Sequence, residues 1–195
     1  MNRIQDYYVL NCLDLPTIPW KEYYHSTKLS KDILWTIKSE KNKKNNTELP
    51  RMIGVTAKEA KDFGGKLYKE LGEGEMVFYY PYFFAIKSGI IDINYDRVAI
   101  EAVKDDVDNL VRRNNVDMTM IFHDDDLEIF GDQDFLTQEE ILELIDCAVK
   151  IKKQCAADIE YGKNFLLQWS YACYTSTRKQ PIGKKNLMFH KVKVI

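Results

Sequence analysis

The sequence predicts an α+β fold in which a mostly antiparallel sheet carries two main helices. Stretches rich in aromatic and β-branched residues follow one another with short polar breaks, a pattern typical of antiparallel strands. Two other stretches place apolar residues at helical spacing behind a helix-capping sequence. The chain has 195 residues, enough to bury a core but few for two ordinary domains with a linker. We therefore predict a single domain over 1–195.

Both predicted helices open with the same capping sequence. Thr56 is followed three residues later by Glu59, and Thr137 by Glu140. Each threonine hydroxyl can accept a hydrogen bond at the start of its helix, while the glutamate accepts one from the threonine N–H. Apolar residues then share one face: Ala60, Phe63, Leu67 and Leu71 in the first helix, and Ile141, Leu144, Ile145, Ala148, Val149 and Ile151 in the second. The glycine pair 64–65 opposes a helix unless packing requires a close approach there.

The predicted strands form consecutive hairpins. They cover 76–86, 90–94, 97–103, 116–123, 127–130, 164–174 and 187–195. We expect a turn at Lys87-Ser88-Gly89 and an acidic turn at 124–126, because glycine and short polar residues favour tight turns. A polar loop with Pro181 and Gly183 is predicted between the last two strands.

The composition argues against several classes of partner. The formal net charge is −2, so no overall field draws the protein to nucleic acid or to an anionic membrane. No apolar run approaches the length of a membrane span, and the first residues lack the apolar centre of a signal peptide. The cysteines show no disulfide or metal-ligand spacing, which fits a reducing compartment. We expect a cytoplasmic protein.

Short phrases along the chain resemble one enzyme family. They are Leu34-Trp35-Thr36-Ile37-Lys38-Ser39, Ala85-Ile86-Lys87-Ser88-Gly89-Ile90, Ile100-Glu101-Ala102-Val103, Leu167-Gln168-Trp169-Ser170 and the segment 187–194. In this order they resemble the landmarks of the nucleotide-binding domain of phosphoenolpyruvate synthase and pyruvate phosphate dikinase. The resemblance implies a partial ATP-grasp-like core over 51–195, preceded by an N-terminal segment, 1–50, with a flexible loop at 40–48. It also implies ATP and Mg²⁺ as ligands, held between two lobes.

The same resemblance implies which residues face the nucleotide. The phrase around Lys38 resembles the family's Arg-Ser-Ser-Ala phrase, with lysine in place of the arginine that grips phosphate. Lysine keeps the charge but loses the planar fork that binds phosphate with two parallel hydrogen bonds. Glu101 matches the site-facing glutamate of the family phrase Ile-Glu-Ala-Val and is the expected metal ligand. The glycine-rich turn that follows in the family is replaced here by Lys104-Asp105-Asp106-Val107-Asp108-Asn109.

Two alignments of the family's metal-binding phrase, Asp-Ile-Glu-Trp, are open. One takes Asp158-Ile159-Glu160 as that phrase. The other takes Leu167-Gln168-Trp169-Ser170 and sets 189–193 against the family's later Leu-Gln-Thr-Arg. We prefer the second because it preserves strand, loop and strand to the end of the chain. It places a neutral amide, Gln168, where the family has a carboxylate.

Strand alternation predicts one polar cleft. Lys191 and Lys193 share a face of the last strand, and Gln168 and Ser170 share a face of its expected partner. The candidate nucleotide- or phosphate-binding residues are therefore Lys38, Glu101, Gln168, Ser170, Lys191 and Lys193. Alternation also directs His190 away from Lys191. The alternative interpretation is that these residues are the solvated faces of half-buried strands.

Three functional hypotheses follow from the sequence. The first is a stand-alone, reduced relative of the synthase-type domain that binds a nucleotide or another phosphate-containing ligand with weak or no phosphotransfer. The second is a non-catalytic interaction module, in which the aromatic stretch 78–84 or the loop 40–48 contacts a protein partner or a second copy. The third is an enzyme that turns over ATP only with a separately encoded subunit.

Overall fold

A computed structural model describes residues 3–40, 50–72, 75–113, 115–123 and 126–195 of the chain. The elements in chain order are α1 (Arg3–Cys12), β1 (Lys21–Glu22), β2 (Trp35–Glu40), β3 (Arg51–Val55), α2 (Ala57–Lys69), β4 (Met76–Pro81), β5 (Phe83–Ile93), β6 (Arg97–Lys104), α3 (Asp108–Arg113), β7 (Met118–His123), β8 (Asp126–Gly131), α4 (Gln138–Gln154), α5 (Ala156–Glu160), β9 (Phe165–Thr175) and β10 (Pro181–Val194).

The strands form two sheets. The first has four strands in the order β1-β4-β2-β3, and the second has six in the order β10-β9-β5-β6-β7-β8. Neighbouring strands in both sheets pair antiparallel. The predicted α+β class with an antiparallel arrangement is confirmed. The ATP-grasp likeness and the single domain stay predictions.

The aromatic stretch passes from one sheet to the other at Tyr82. The predicted strand 76–86 is therefore two strands, β4 and β5. The Tyr82 N–H donates to the Leu34 carbonyl (2.8 Å), and the Thr175 N–H donates to the Tyr82 carbonyl (3.1 Å), so this residue joins the ends of both sheets. β4 lies between β1 and β2, and β5 lies between β9 and β6. The aromatic residues are thus carried by interior strands, so in the two described sheets neither strand offers a free edge for pairing with a second copy.

The turn predicted at Lys87-Ser88-Gly89 is wrong, because all three residues lie inside β5. The glycine meets a packing need instead. A Cβ at position 89 would clash with the Glu101 carbonyl oxygen of β6 and with the Trp169 ring of β9, so only glycine fits between these strands. The loop predicted around Pro181 and Gly183 is also wrong, because β10 already begins at Pro181 and the hairpin turn occupies 176–180.

Both predicted helices form with the capping contacts expected of them. In α2 and α4 the cap threonine accepts from the glutamate N–H three residues on, and the glutamate carboxylate accepts from the threonine N–H. The apolar face of α2 packs on the first sheet, with Ala60 and Leu67 against Trp35 and Ile37. The apolar face of α4 joins the larger core of the second sheet, which includes Leu144, Ala148, Ile151, Ile91, Ile100, Leu167 and Trp169.

An unpredicted helix, α1, belongs to the fold. Its Tyr7 and Leu10 are buried, and Tyr7 makes edge contacts with Phe78 and Tyr80 at centroid distances of 6.2 and 6.4 Å. The predicted loop 40–48 lies outside the described residues except for Glu40, which ends β2, and the acidic turn is described only at Asp126. Across the described ranges, no helix combines the length and apolar character needed to cross a bilayer.

Candidate functional site

A cavity of about 460 Å³ lies between the two sheets. One wall comes from the first sheet and includes Thr36 and Tyr80, and the floor comes from β5, β9 and β10 of the second sheet. Ala85, Ser170 and Ala172 on this floor have small side chains, which leave space that larger residues would fill in a close-packed interior. The helices α1 and α3 close the sides.

The strand register gathers most of the predicted site residues on the floor side of the second sheet. Ile90 of β5 lies directly opposite both Glu101 of β6 and Gln168 of β9, and Gln168 lies opposite Lys191 of β10. Directly opposed residues of antiparallel strands share a face. Ser170 and Lys193 share this face too, because Ser170 is two residues from Gln168 and Lys193 is two residues from Lys191.

Three of these residues line the cavity and two do not. Gln168, Ser170 and Lys191 contribute to its wall, whereas Glu101 and Lys193 lie on the same sheet face outside it. The alternative alignment, which takes Asp158-Ile159-Glu160 as the metal-binding phrase, places that phrase away from the cavity. Asp158 lies on α5, where its carboxylate accepts a hydrogen bond from Lys163 at 2.7 Å, and it is not among the cavity residues.

Lys38 approaches from the opposite sheet. It is buried in β2, and its ammonium nitrogen lies 5.1 Å from the centroid of the Tyr80 ring, a cation–π distance. Thr36, two residues earlier on the same face of β2, lines the cavity, as does Tyr80. Lys38 therefore lies next to the wall that Thr36 and Tyr80 form, without lining the cavity itself.

The prediction that His190 points away from Lys191 is wrong. The pairing of β10 with β9 shifts between Phe189 and Lys191, so His190 is the extra residue of a β-bulge. A bulge interrupts alternation and re-aims a side chain, which is how two consecutive basic residues come to line one cavity. The loop before β1 docks at the same place, since the Phe189 N–H donates to the Pro16 carbonyl at 2.7 Å.

A hydrogen-bond chain runs from His190 across the floor. His190 Nε2 lies 3.2 Å from Ser170 Oγ, and Ser170 Oγ lies 2.8 Å from Ser88 Oγ. Ser88 Oγ donates to the Asp105 carbonyl at 2.6 Å. Asp105 has a positive φ of 63°, which aspartate tolerates better than most residues, and it leads into α3. The chain thus connects the bulge to the segment that forms a side wall.

Acidic residues that the sequence interpretation did not assign to the site also line the cavity. They are Asp6 of α1 and Asp106 and Asp108 at the start of α3. The sequence contained a signal for the last two, because their segment replaces the family's glycine-rich turn. Within the described ranges, no group of three or more histidine, cysteine, aspartate or glutamate side chains is arranged to hold a metal ion.

A second basic cluster occupies the other face of the same sheet. Lys87 Nζ donates to Glu140 Oε2 at 2.7 Å, and Lys185 donates to Glu140 Oε1. Burial favours the neutral acid, but hydrogen bonds from Lys185 and Lys87 outweigh it and hold the pKa of Glu140 below its usual value. Because each lysine already pairs with this carboxylate, the cluster ties α4 to the sheet and is a poor phosphate site.

No protein-family model and no curated protein matches the chain. The resemblance to the phosphoenolpyruvate synthase and pyruvate phosphate dikinase domain therefore stays a prediction based on the quoted phrases. The geometry of the cavity does not depend on that resemblance. Polar residues from two facing sheets border one cavity, and that cavity is large enough for a small organic ligand.

Proposed function

We propose that the cavity between the two sheets binds a nucleotide or another small phosphate-containing molecule, and that the protein transfers phosphate weakly or not at all. The observation that carries the proposal is the position of Gln168, Ser170 and Lys191 on one cavity, whose opposite wall belongs to the strand of Lys38. His190 adds a second basic side chain beside Lys191. Charge-assisted hydrogen bonds from such residues are the usual way to hold phosphate oxygens.

The expectation of weak phosphotransfer follows from the residues at the site. Lysine at position 38 cannot grip a phosphate with two parallel hydrogen bonds, and Gln168 offers an amide where the family has a metal carboxylate. Mg²⁺ normally takes one or two carboxylates together with phosphate oxygens and water. The carboxylates on the cavity wall are Asp6, Asp106 and Asp108, and Glu101, the residue expected from the resemblance, lies farther along the sheet face.

Calorimetric titration with ATP and Mg²⁺, ADP and pyrophosphate tests the proposal. Wild-type protein should release or absorb heat on binding at least one of them. Lys191→Gln should weaken that binding about tenfold, the effect of losing one charge-assisted hydrogen bond. Absence of both heat and a thermal shift at millimolar concentrations of every compound would refute the proposal.

Lys193→Gln is the matched control. It makes the same charge change on the same strand and face, two residues away, but outside the cavity wall. We expect it to change the affinity less than Lys191→Gln does. Equal losses in the two variants would mean that the ligand follows the open sheet face and not the cavity.

A protein-interaction role is the second candidate, favoured by one edge of the larger sheet. β8 is an edge strand on which Leu127 is 50% exposed and Phe130 is 54% exposed. Exposed apolar edge strands invite pairing with another strand. Light scattering over a range of concentrations tests whether a second copy binds there, because Phe130→Lys should then lower the apparent mass toward that of the monomer.

A further inference from the structure

The hydrogen-bond chain on the cavity floor has only one consistent direction. A main-chain carbonyl accepts and cannot donate, so the single hydroxyl proton of Ser88 goes to the Asp105 carbonyl, 2.6 Å away. The contact between Ser88 and Ser170, at 2.8 Å, must then use the proton of Ser170. With that proton committed, the contact of 3.2 Å between Ser170 and His190 needs the proton on His190 Nε2.

We propose that Ser170 presents the cavity with a hydrogen-bond acceptor and no donor, so the natural ligand is a phosphate compound that also carries a hydroxyl or amino group. This inference rests on the proposed function. Phosphate oxygens at neutral pH mainly accept hydrogen bonds, and they would meet a lone pair at Ser170. A hydroxyl or amino group of the ligand can donate to that lone pair, as a sugar phosphate or a nucleotide would.

Because the hydrogen-bonded serines are buried, the direction of these hydrogen bonds is fixed. Ser88 is fully buried, and Ser170 is 7% exposed. Reversing the direction would leave the Asp105 carbonyl without the Ser88 proton, and an unsatisfied polar group in such a place is costly. With His190 donating to Ser170, the imidazole cannot take the Ser170 proton, so the pair lacks the base that a serine nucleophile needs.

Thr36 on the facing wall has the complementary character. Its side chain is 1% exposed, and among the described residues its Oγ1 has no hydrogen-bond partner. That hydroxyl is able to donate as well as accept. Thr36 thus leaves an unpaired hydroxyl beside the cavity, Ser170 places an acceptor on the floor and Lys191 places a cation next to the bulge. This set suits a ligand with both hydroxyl and phosphate groups better than a bare polyphosphate.

Ser88→Ala tests the inference without altering a residue of the cavity wall. In this variant Ser170 no longer donates to Ser88, so its hydroxyl is able to donate to a phosphate oxygen in the cavity. Calorimetry with ATP and with inorganic tripolyphosphate should show the ratio of the two affinities falling about tenfold in favour of tripolyphosphate. Thr119→Ala is the control. It removes a half-buried hydroxyl from the same sheet face, but Thr119 is not part of the hydrogen-bond chain.

Nitrogen-15 NMR of the histidine side chains in the ligand-free protein provides a second measurement, with His190→Gln used for assignment. We expect His190 Nε2 to carry a proton over the whole pH range. A bare Nε2 in the wild type, or an unchanged affinity ratio in Ser88→Ala, would overturn the inference. If no phosphate compound binds the wild type, the proposed function fails, and the NMR spectrum alone decides whether Ser170 is an acceptor.

Discussion

At the scale of single residues, Glu140 combines two roles that the sequence suggested only in part. The predicted capping box explains its contact with the Thr137 N–H, at 2.9 Å. The pairing with Lys87 and Lys185 could not be predicted, because it depends on a bulge in β5 between Ala85 and Lys87 that turns Lys87 toward α4. The Glu140 side chain is 4% exposed, so its neighbours and not the solvent compensate its charge.

We predict that Glu140→Gln lowers the free energy of unfolding at pH 7 by about 2 kcal/mol, the order of a hydrogen bond to a charged group. Urea denaturation measures the change, and Glu139→Gln, an exposed neighbour with the same charge change, should have a much smaller effect. A loss of equal size in both variants would contradict the role assigned to the buried pair.

The same residue predicts a pH dependence of stability. The pKa of Glu140 is lower in the folded than in the unfolded protein, because the two lysines outweigh burial. Its contribution is therefore present above the unfolded pKa and is lost as the pH falls through the folded pKa. The stability difference between wild type and Glu140→Gln should shrink when denaturation is repeated below about pH 4. A difference that stays constant on acidification would contradict this assignment.

At the scale of elements, adjacent glycines in α2 differ in their surroundings. A Cβ at Gly64 would lie 2.5 Å from Ile37 Cδ1 and 2.8 Å from the Tyr23 ring, whereas a Cβ at Gly65 would meet nothing within 4 Å. We predict that Gly64→Ala destabilises the protein by about 1–3 kcal/mol through overpacking. Gly65→Ala should stabilise it by about 0.5–1 kcal/mol, because alanine favours helix. Thermal unfolding distinguishes the two, and destabilisation by both would contradict the packing described.

Local sequence patterns were sufficient to predict the bounds of several helices and strands. Capping boxes and strand alternation are local, so α2, α4, β6 and β9 were predicted close to their bounds. The bulge at His190 and the division of the aromatic stretch at Tyr82 depend on which strands pair and in what register. Local patterns do not contain that information, and for this reason two basic residues of the cavity were predicted on opposite faces.

At the scale of the whole molecule, two antiparallel sheets meet over one cavity. α1 helps to hold them together, because Tyr7 contacts β4 of the first sheet while its helix packs along β10 of the second. Of the predicted site residues, Gln168, Ser170 and Lys191 line this cavity, and its opposite wall comes from the sheet that carries Lys38. A ligand in the cavity would touch both sheets, so binding should raise the temperature of unfolding.

A crystal structure with a non-hydrolysable ATP analogue and Mg²⁺ would show whether the cavity between the sheets holds phosphate. We expect phosphate density in the cavity, within hydrogen-bond distance of Lys191 or His190, and a hydroxyl or amino group of the analogue at Ser170. Density at Lys87 and Lys185 on the opposite face, or an empty cavity at saturating analogue, would contradict it.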